Sequence, residues 1–101
     1  MNKEEQAFQD AGKAVKGAAL SQMFGKPCLK LKGKAFACLF DSCMVFKLGG
    51  DSHHDALELS GSRLFDPSGK KRPMKEWVQV SYRHRDKWAA LAKKAAAYIN
   101  A

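Results

Sequence analysis

The sequence predicts an α+β domain, in which helices cover an antiparallel sheet to give two layers. Residues 3–19 and 87–99 space their apolar side chains at helical intervals. Between Leu29 and Val80, five short segments alternate or run together in the manner of strands. The predicted order is therefore helix, three strands, helix, two strands, helix. Consecutive strands, rather than strands that alternate with helices, are typical of the α+β class.

The first predicted helix runs from Lys3 to about Ala19. This segment is rich in Ala, Glu, Lys and Gln, which favour helices. Asn2 and Glu5 form a capping-box pattern at its start. Because two glycines weaken it and its apolar stripe is mostly alanine, the helix is expected to need a sheet to pack against. The stripe consists of Phe8, Ala11, Val15 and Ala18.

Residues 29–48 predict a meander of three antiparallel strands. The segment CLKLK places Leu29 and Leu31 on one face and lysines on the other, as in a half-exposed strand. The segment AFACLF is apolar on both faces, which is expected of a central strand. The segment CMVFKL completes the meander, and the turns are Gly33-Lys34 and Asp41-Ser42.

The remaining residues predict a short helix, two strands and a longer helix. Ser52 and Asp55 form a second capping pattern, ahead of a helix expected from about His53 to Leu59. The strand segments RLF and MKEWVQV flank a loop in which prolines and a glycine exclude regular structure. The last helix has apolar residues at helical intervals, namely Trp88, Leu91, Ala92, Ala95, Tyr98 and Ile99.

A chain of 101 residues is long enough for one compact core, so residues 1–101 are expected to form a single domain. Such a small core must use most of the large apolar side chains. Trp77 and Trp88 are expected to anchor the last helix to the sheet. The aromatic residues predicted to be in the core are Phe8, Phe36, Phe40, Phe46, Trp77 and Trp88.

The charge balance favours polyanionic partners. The formal net charge is +8, from 18 Lys and Arg against 10 Asp and Glu, and residues 63–87 alone carry +5. The densest cluster lies in DPSGKKRPM, which is either a solvated hairpin tip or a loop that contacts nucleic-acid phosphates. On the second interpretation, the nucleic-acid-binding residues are Lys70, Lys71 and Arg72, with Lys30, Lys32 and Arg85 as auxiliaries.

Residues that could ligate a metal or act as nucleophiles form no recognisable motif. Neighbouring His53 and His54 on a helix point about 100° apart and so converge poorly on one ion. The three cysteines match no zinc or disulfide spacing, and Cys38 is expected to be buried and inert. No glycine-rich phosphate or dinucleotide motif occurs. The sequence therefore predicts no catalytic set, no metal and no cofactor.

The sequence also favours a cytoplasmic protein with no membrane partner. No segment approaches the roughly 18 apolar residues that a membrane span needs. The first ten residues lack the apolar stretch of a secretory signal, and an odd cysteine count suits a reducing compartment.

Several short segments, taken in order, resemble the TfoX N-terminal domain family. The resemblance spans about residues 20–99 and implies a two-layer α+β domain, similar to secretion-chaperone-like and YjbR-like proteins. TfoX proteins are regulators of natural competence in bacteria and also carry a C-terminal helical domain, for which residues 1–101 leave no room. The matching segments are MFG (residues 23–25), GKAFA (33–37), Asp41, FKL (46–48), LFDPSGK (64–70) and PMKEWVQV (73–80).

Two function hypotheses follow. The resemblance carries no catalytic residues and implies a stand-alone, non-enzymatic regulatory or adaptor module, which would bind nucleic acid or a protein partner. The alternative is a small-molecule or metal-dependent enzyme built on Cys28, Cys43, His53 or His54. A homodimer, paired through a sheet edge or a helix, is compatible with either hypothesis.

Overall fold

A computed structural model of the protein describes residues 3–23, 25–40, 42–66 and 74–99. Across these residues the predicted α+β class is confirmed. The helices are α1 (Lys3–Lys13), α2 (Gly50–Glu58) and α3 (Arg85–Ile99), with a 3₁₀ turn (Tyr82–His84) before α3. The strands are β1 (Ala19–Met23), β2 (Lys26–Leu31), β3 (Lys34–Phe40), β4 (Cys43–Lys47), β5 (Arg63–Phe65) and β6 (Met74–Ser81).

The six described strands form one antiparallel sheet in the order β1-β2-β3-β4-β6-β5. Helix α3 packs on β3 and β4, α2 packs on β6, and α1 packs against α3. The described helices therefore lie on one side of the sheet, which we call the helix face. The opposite side, on which strand alternation places Cys38, Val45 and Gln79, we call the outer face.

The prediction that the first helix continues to Ala19 is wrong. Helix α1 ends at Lys13, and Gly17 has a positive φ of 86°, a conformation that a helix does not contain. The chain then forms β1, which pairs with β2 so that Leu20 lies opposite Leu29. The meander therefore has four strands rather than three. Pairing with β1 satisfies the backbone N–H and C=O groups along the edge of β2, which a longer first helix would leave unpaired.

The predicted start of the second helix is also wrong. Helix α2 begins at Gly50, three residues before the expected His53, and its N-cap is Gly49 without a side-chain hydrogen bond. Ser52 therefore lies inside the first turn rather than capping it. The predicted cap Asn2, the turn residue Asp41 and the loop residues 67–73 lie outside the described residues.

A bulge in β3 places apolar residues on both faces of the sheet. Leu29 pairs with Ala37 while Lys30 pairs with Ala35, so Phe36 is an extra residue between the two pairs. Phe36 and Ala37 both reach the helix-face core, and Cys38 faces the other way. Beyond the bulge, ordinary alternation puts Leu39 on the helix face and Cys38 and Phe40 on the outer face, so AFACLF serves both faces, as predicted for a central strand.

The helix-face core is the larger of two buried clusters. It contains Phe8 of α1, Phe36 and Phe46 of the sheet, and Trp88 of α3, each at most 1% exposed. The prediction that these four aromatic residues are in the core is confirmed. Tyr82 stacks edge-on against Trp88, with ring centroids 5.8 Å apart.

The second cluster lies on the outer face and corrects the prediction for Trp77. Trp77 is buried there and does not anchor α3; of the two tryptophans, Trp88 has that role. Phe40, half-buried, contacts Phe65 with ring centroids 5.1 Å apart. Since β3 and β5 would be about 14 Å apart in a flat sheet, the sheet must curve toward its outer face. The buried members are Cys28, Cys38, Val45, Phe65 and Trp77.

Helix α1 approaches the sheet closely at Gly12. A Cβ atom built on Gly12 would lie 2.9 Å from Leu29 Cδ2, which is shorter than a normal van der Waals contact. The absence of a side chain at Gly12 thus lets the Leu29 side chain pack directly against the backbone of α1.

We expect Gly12→Val to lower the free energy of unfolding by about 1–3 kcal/mol, because the added methyl groups overpack against Leu29. Urea unfolding of the four proteins in a Gly12→Val and Leu29→Ala double-mutant cycle measures this. The cost should shrink in the Leu29→Ala background, which leaves space for valine. An equal cost in both backgrounds would show that Leu29 does not limit the approach.

Candidate polyanion-binding surface

The structure separates the nucleic-acid-binding residues predicted from the sequence. Lys70, Lys71 and Arg72 lie outside the described residues. Lys30 lies on the outer face, half-buried, and Lys32 is exposed in the turn between β2 and β3. These two share one end of the sheet.

Arg85 lies elsewhere, at the start of α3. Its guanidinium Cζ lies 4.6 Å from the centroid of the Tyr82 ring, and Tyr82 packs against the helix-face core. By strand register, Lys30 lies opposite Ala35, at one end of the sheet. Ser81, which precedes the 3₁₀ turn and Arg85, lies at the other end, roughly five residues or 17 Å along the strands. Arg85 therefore does not extend the patch formed by Lys30 and Lys32.

Cations border the outer face. Strand alternation places Lys26 and Lys30 on this face of β2, beside Cys28, and Lys47 on this face of β4, beside Val45. Arg63 of β5 lies opposite Gln79 and faces the same way. Lys75, which alternates with Trp77 on β6, also faces this way, so five cations border the buried apolar cluster and their charged groups meet solvent at its rim.

Acidic side chains lie mainly on the other side of the molecule. In the described strands, the one acidic residue is Glu76, whose carboxylate accepts a hydrogen bond from Tyr98 of α3 at 3.1 Å and pairs with Lys47 at 3.6 Å. Helices α1 and α2 carry Glu4, Glu5, Asp10, Asp51, Asp55 and Glu58. The described residues thus give a basic sheet, while on the helix side α1 and α2 carry a net negative charge and α3 carries a net positive one.

Sequence reasoning missed four members of this surface, namely Lys26, Lys47, Arg63 and Lys75. Lys26, Cys28 and Lys30 alternate within KPCLKL, and this spacing places both lysines on one face. The placement of these lysines was therefore predictable from the sequence. The placement of Arg63 was not, because it depends on the pairing of β5 with β6.

Two of the three thiols belong to the buried outer-face cluster. Cys28 lies opposite Cys38 across β2 and β3, and both are free. Burial raises the pKa of Cys38 to about 12, and neighbouring Cys28 adds to the effect. Burial also raises the pKa of Cys28, although Lys30 and a hydrogen bond with Ser21 oppose this. Cys43 is half-buried.

The two neighbouring histidines point to different partners. The ring nitrogen Nε2 of His53 lies 2.7 Å from the carbonyl oxygen of Lys75. That of His54 lies 2.9 Å from the Glu58 carboxylate, one helical turn on. Among the described residues, no three His, Cys, Asp or Glu side chains are grouped to hold a metal ion.

Searches against protein-family models, curated proteins and solved structures give no match. The function of the protein is therefore inferred from the geometry of its described residues. None of the described helices is long and apolar enough to cross a membrane.

Cys43 should be the thiol that reacts first in the folded protein. Brief treatment with iodoacetamide, followed by peptide mass spectrometry, should label Cys43 and leave Cys28 and Cys38 unmodified until denaturant is added. The Cys43→Ser variant should then show no labelling under native conditions. Early labelling of Cys38 would contradict its burial.

The buried thiols also predict a loss of stability at high pH. The unfolded Cys38 thiol ionises near its ordinary pKa of 9.0, whereas the folded thiol keeps its proton until about 12. The contribution to stability is therefore fully present below pH 9 and is lost as the pH rises toward 12, by at most about 1.4 kcal/mol per pH unit.

We expect urea unfolding at about pH 8, 9.5 and 11 to show a steeper loss for the wild type than for Cys38→Ala, which lacks this thiol. Parallel pH profiles for the two proteins would contradict the raised pKa.

Proposed function

We propose that this protein is a non-enzymatic regulatory module that binds the phosphate backbone of nucleic acid through the cations at the rim of its outer face. The single observation that supports this proposal most strongly is the separation of charge. Lys26, Lys30, Lys47 and Arg63 gather on one side, while most acidic side chains lie on α1 and α2. A polyanion approaching the sheet is attracted, and one approaching those two helices is repelled.

The chemistry of this rim favours backbone contact over base recognition. Lysine ammonium groups on flexible stems bind phosphates as point charges and carry no sequence information. Base stacking needs exposed aromatic faces, but Phe65 and Trp77 are buried under this surface and Phe40 is packed against them. Binding is therefore expected to depend strongly on salt and weakly on sequence.

The cations of residues 70–72 follow β5 in the chain, and we propose that they add phosphate contacts to those of the outer face. The proposal also places the protein with TfoX N-terminal-like domains that act as stand-alone modules in the cytoplasm. The α+β class of the fold supports that placement, and β1 adds one strand to the order that the resemblance implies.

We expect labelled duplex and single-stranded DNA and RNA to bind in fluorescence-anisotropy titrations, with affinity that falls as salt rises. The double variant Lys26→Glu, Lys30→Glu should raise Kd at least about tenfold and reduce the salt slope by about two, since two phosphate contacts are lost. The loop variant Lys70→Glu, Lys71→Glu, Arg72→Glu tests the additional contacts in the same assay.

Lys93→Glu, Lys94→Glu is the matched control. These two lysines are exposed on α3, within the helix layer, so the variant makes the same change in net charge at a different place. It should weaken binding by no more than about threefold, through bulk charge alone. Equal losses in the two double variants would refute a defined surface, and undetectable binding at low salt would refute the proposal as a whole.

A further inference from the structure

A second candidate site, which is an open surface pocket, lies near the Ser81 end of β6 on the outer face, apart from Lys26 and Lys30. It is a cavity of about 370 Å³. Register places its walls together: Arg63 lies opposite Gln79, and Cys43 lies opposite Ser81. The segment between α2 and β5 and the 3₁₀ turn close it with Ser60, Gly61 and Arg83.

Gln79 indicates that this cavity is built to hold something polar. Gln79 is 5% exposed and is the one polar residue that the described chain buries this deeply. Its amide borders the cavity, and no hydrogen bond joins it to any other described residue. Among the described residues, the fully buried side-chain atoms without a partner are Ser62 Oγ and Trp88 Nε1, so the Gln79 amide is accessible from the pocket. Its two donors and one acceptor oxygen are therefore available to a polar ligand that enters there.

Two arginines, Arg63 and Arg83, line the pocket beside this amide, and both are exposed to solvent. Neither Arg63 nor Arg83 forms an ion pair with any carboxylate that the structure describes. No acidic side chain is among the residues that line the cavity. Two unpaired guanidinium groups on one cavity create a site for an anion, and each has N–H donors to spare.

Hydrogen bonds pre-position Arg83. Its Nη1 donates to Ser60 Oγ at 3.2 Å, and its backbone N–H donates to Ser81 Oγ at 3.3 Å. His84 Nε2 lies 2.9 Å from the Ser60 carbonyl oxygen, which can only accept, so this nitrogen carries the proton. Ser60 Oγ also lies 3.4 Å from His84 Nε2. Each serine hydroxyl accepts a bond from Arg83 and retains a hydrogen that it can donate to a ligand.

We propose that this cavity binds the phosphate monoester of a small polyol, such as a sugar phosphate. A phosphate monoester carries a charge near −2 and three acceptor oxygens, which match two guanidinium groups and the serine hydroxyls. A carboxylate would neutralise only one arginine. The Gln79 amide then pairs with ligand hydroxyls, and the cavity volume lies at the small end of ligand pockets, which are about 300–1,000 Å³.

The test is an NMR titration of ¹⁵N-labelled protein with glycerol 3-phosphate, which follows the side-chain amide of Gln79. We expect saturable shifts of that amide with a Kd of about 1 mM or lower. Glycerate should bind about tenfold more weakly, because it carries a single charge, and glycerol should not bind. Inorganic phosphate should also bind about tenfold more weakly, because it lacks the hydroxyl groups that pair with Gln79.

Matched variants locate the site. Arg63→Gln and Arg83→Gln should each weaken glycerol 3-phosphate binding at least about tenfold. Arg85→Gln removes the same charge from outside the cavity and should leave the Kd unchanged. Bound ligand should also slow the alkylation of Cys43, a lining residue, in the wild type. Melting temperatures confirm that each variant is folded.

Each outcome decides the proposal. The absence of a saturable shift at Gln79 up to about 10 mM ligand, or equal losses in Arg85→Gln and Arg83→Gln, would overturn the site. Equal affinity for inorganic phosphate would overturn the polyol. The cavity shares Arg63 with the proposed nucleic-acid surface, but the two sites can be tested separately: Lys26→Glu, Lys30→Glu tests nucleic-acid binding and leaves the cavity lining intact, whereas Arg83→Gln tests the cavity alone.

Discussion

The described helices pack on a single face of the sheet, and much of the remaining structure follows from that one-sided packing. Helix α3 buries Trp88, Leu91 and Ala92 against the central strands, which fixes the helix layer. The outer face then has no described helix to cover its apolar residues. The sheet instead curves until Phe40 and Phe65 meet across two intervening strands. Burial on that face thus comes from the shape of the sheet and its own side chains.

Curvature also explains where the polar chemistry of the outer face lies. Apolar side chains fill its centre, so charged groups are left at the rim, where long side chains reach solvent. Near the Ser81 end of β6, the polar residues Arg63, Gln79 and Ser81 take the place of apolar residues on this face, and they line a cavity. The rim and the cavity share Arg63 but differ in kind. The rim carries charges on long side chains, whereas the cavity is lined by two arginines, an amide and two serine hydroxyls.

Much of this fold was predictable because its signals are local. The period of apolar residues in α3 and the alternation in β2 depend only on neighbouring residues. The strand β1 was missed because its segment ALSQM, after a run of good helix formers, has a weak alternation of its own. Its pairing with β2 decides its conformation, and pairing depends on a partner elsewhere in the chain.

The candidate sites were likewise only partly predictable from the sequence. The abundance of cations predicted a polyanion partner, and the spacing of Lys26 and Lys30 was available within one strand. Arg85 was grouped with Lys30 and Lys32 on charge alone, yet the register of the sheet separates them by most of its length. Trp77 was assigned to the wrong face for a related reason. Position along the sequence does not reveal which side of a sheet a helix will cover.

The sequence by itself determined the class of fold, the burial of the large aromatic residues and the excess of positive charge, because these depend on composition and short-range period. Only the tertiary structure decided which faces those residues share. The bulge at Phe36 and the pairing of β5 with β6 join residues far apart in the chain. Arg63, Gln79 and Arg83 become one site because strand register, which is set by long-range packing, brings their side chains to the same cavity.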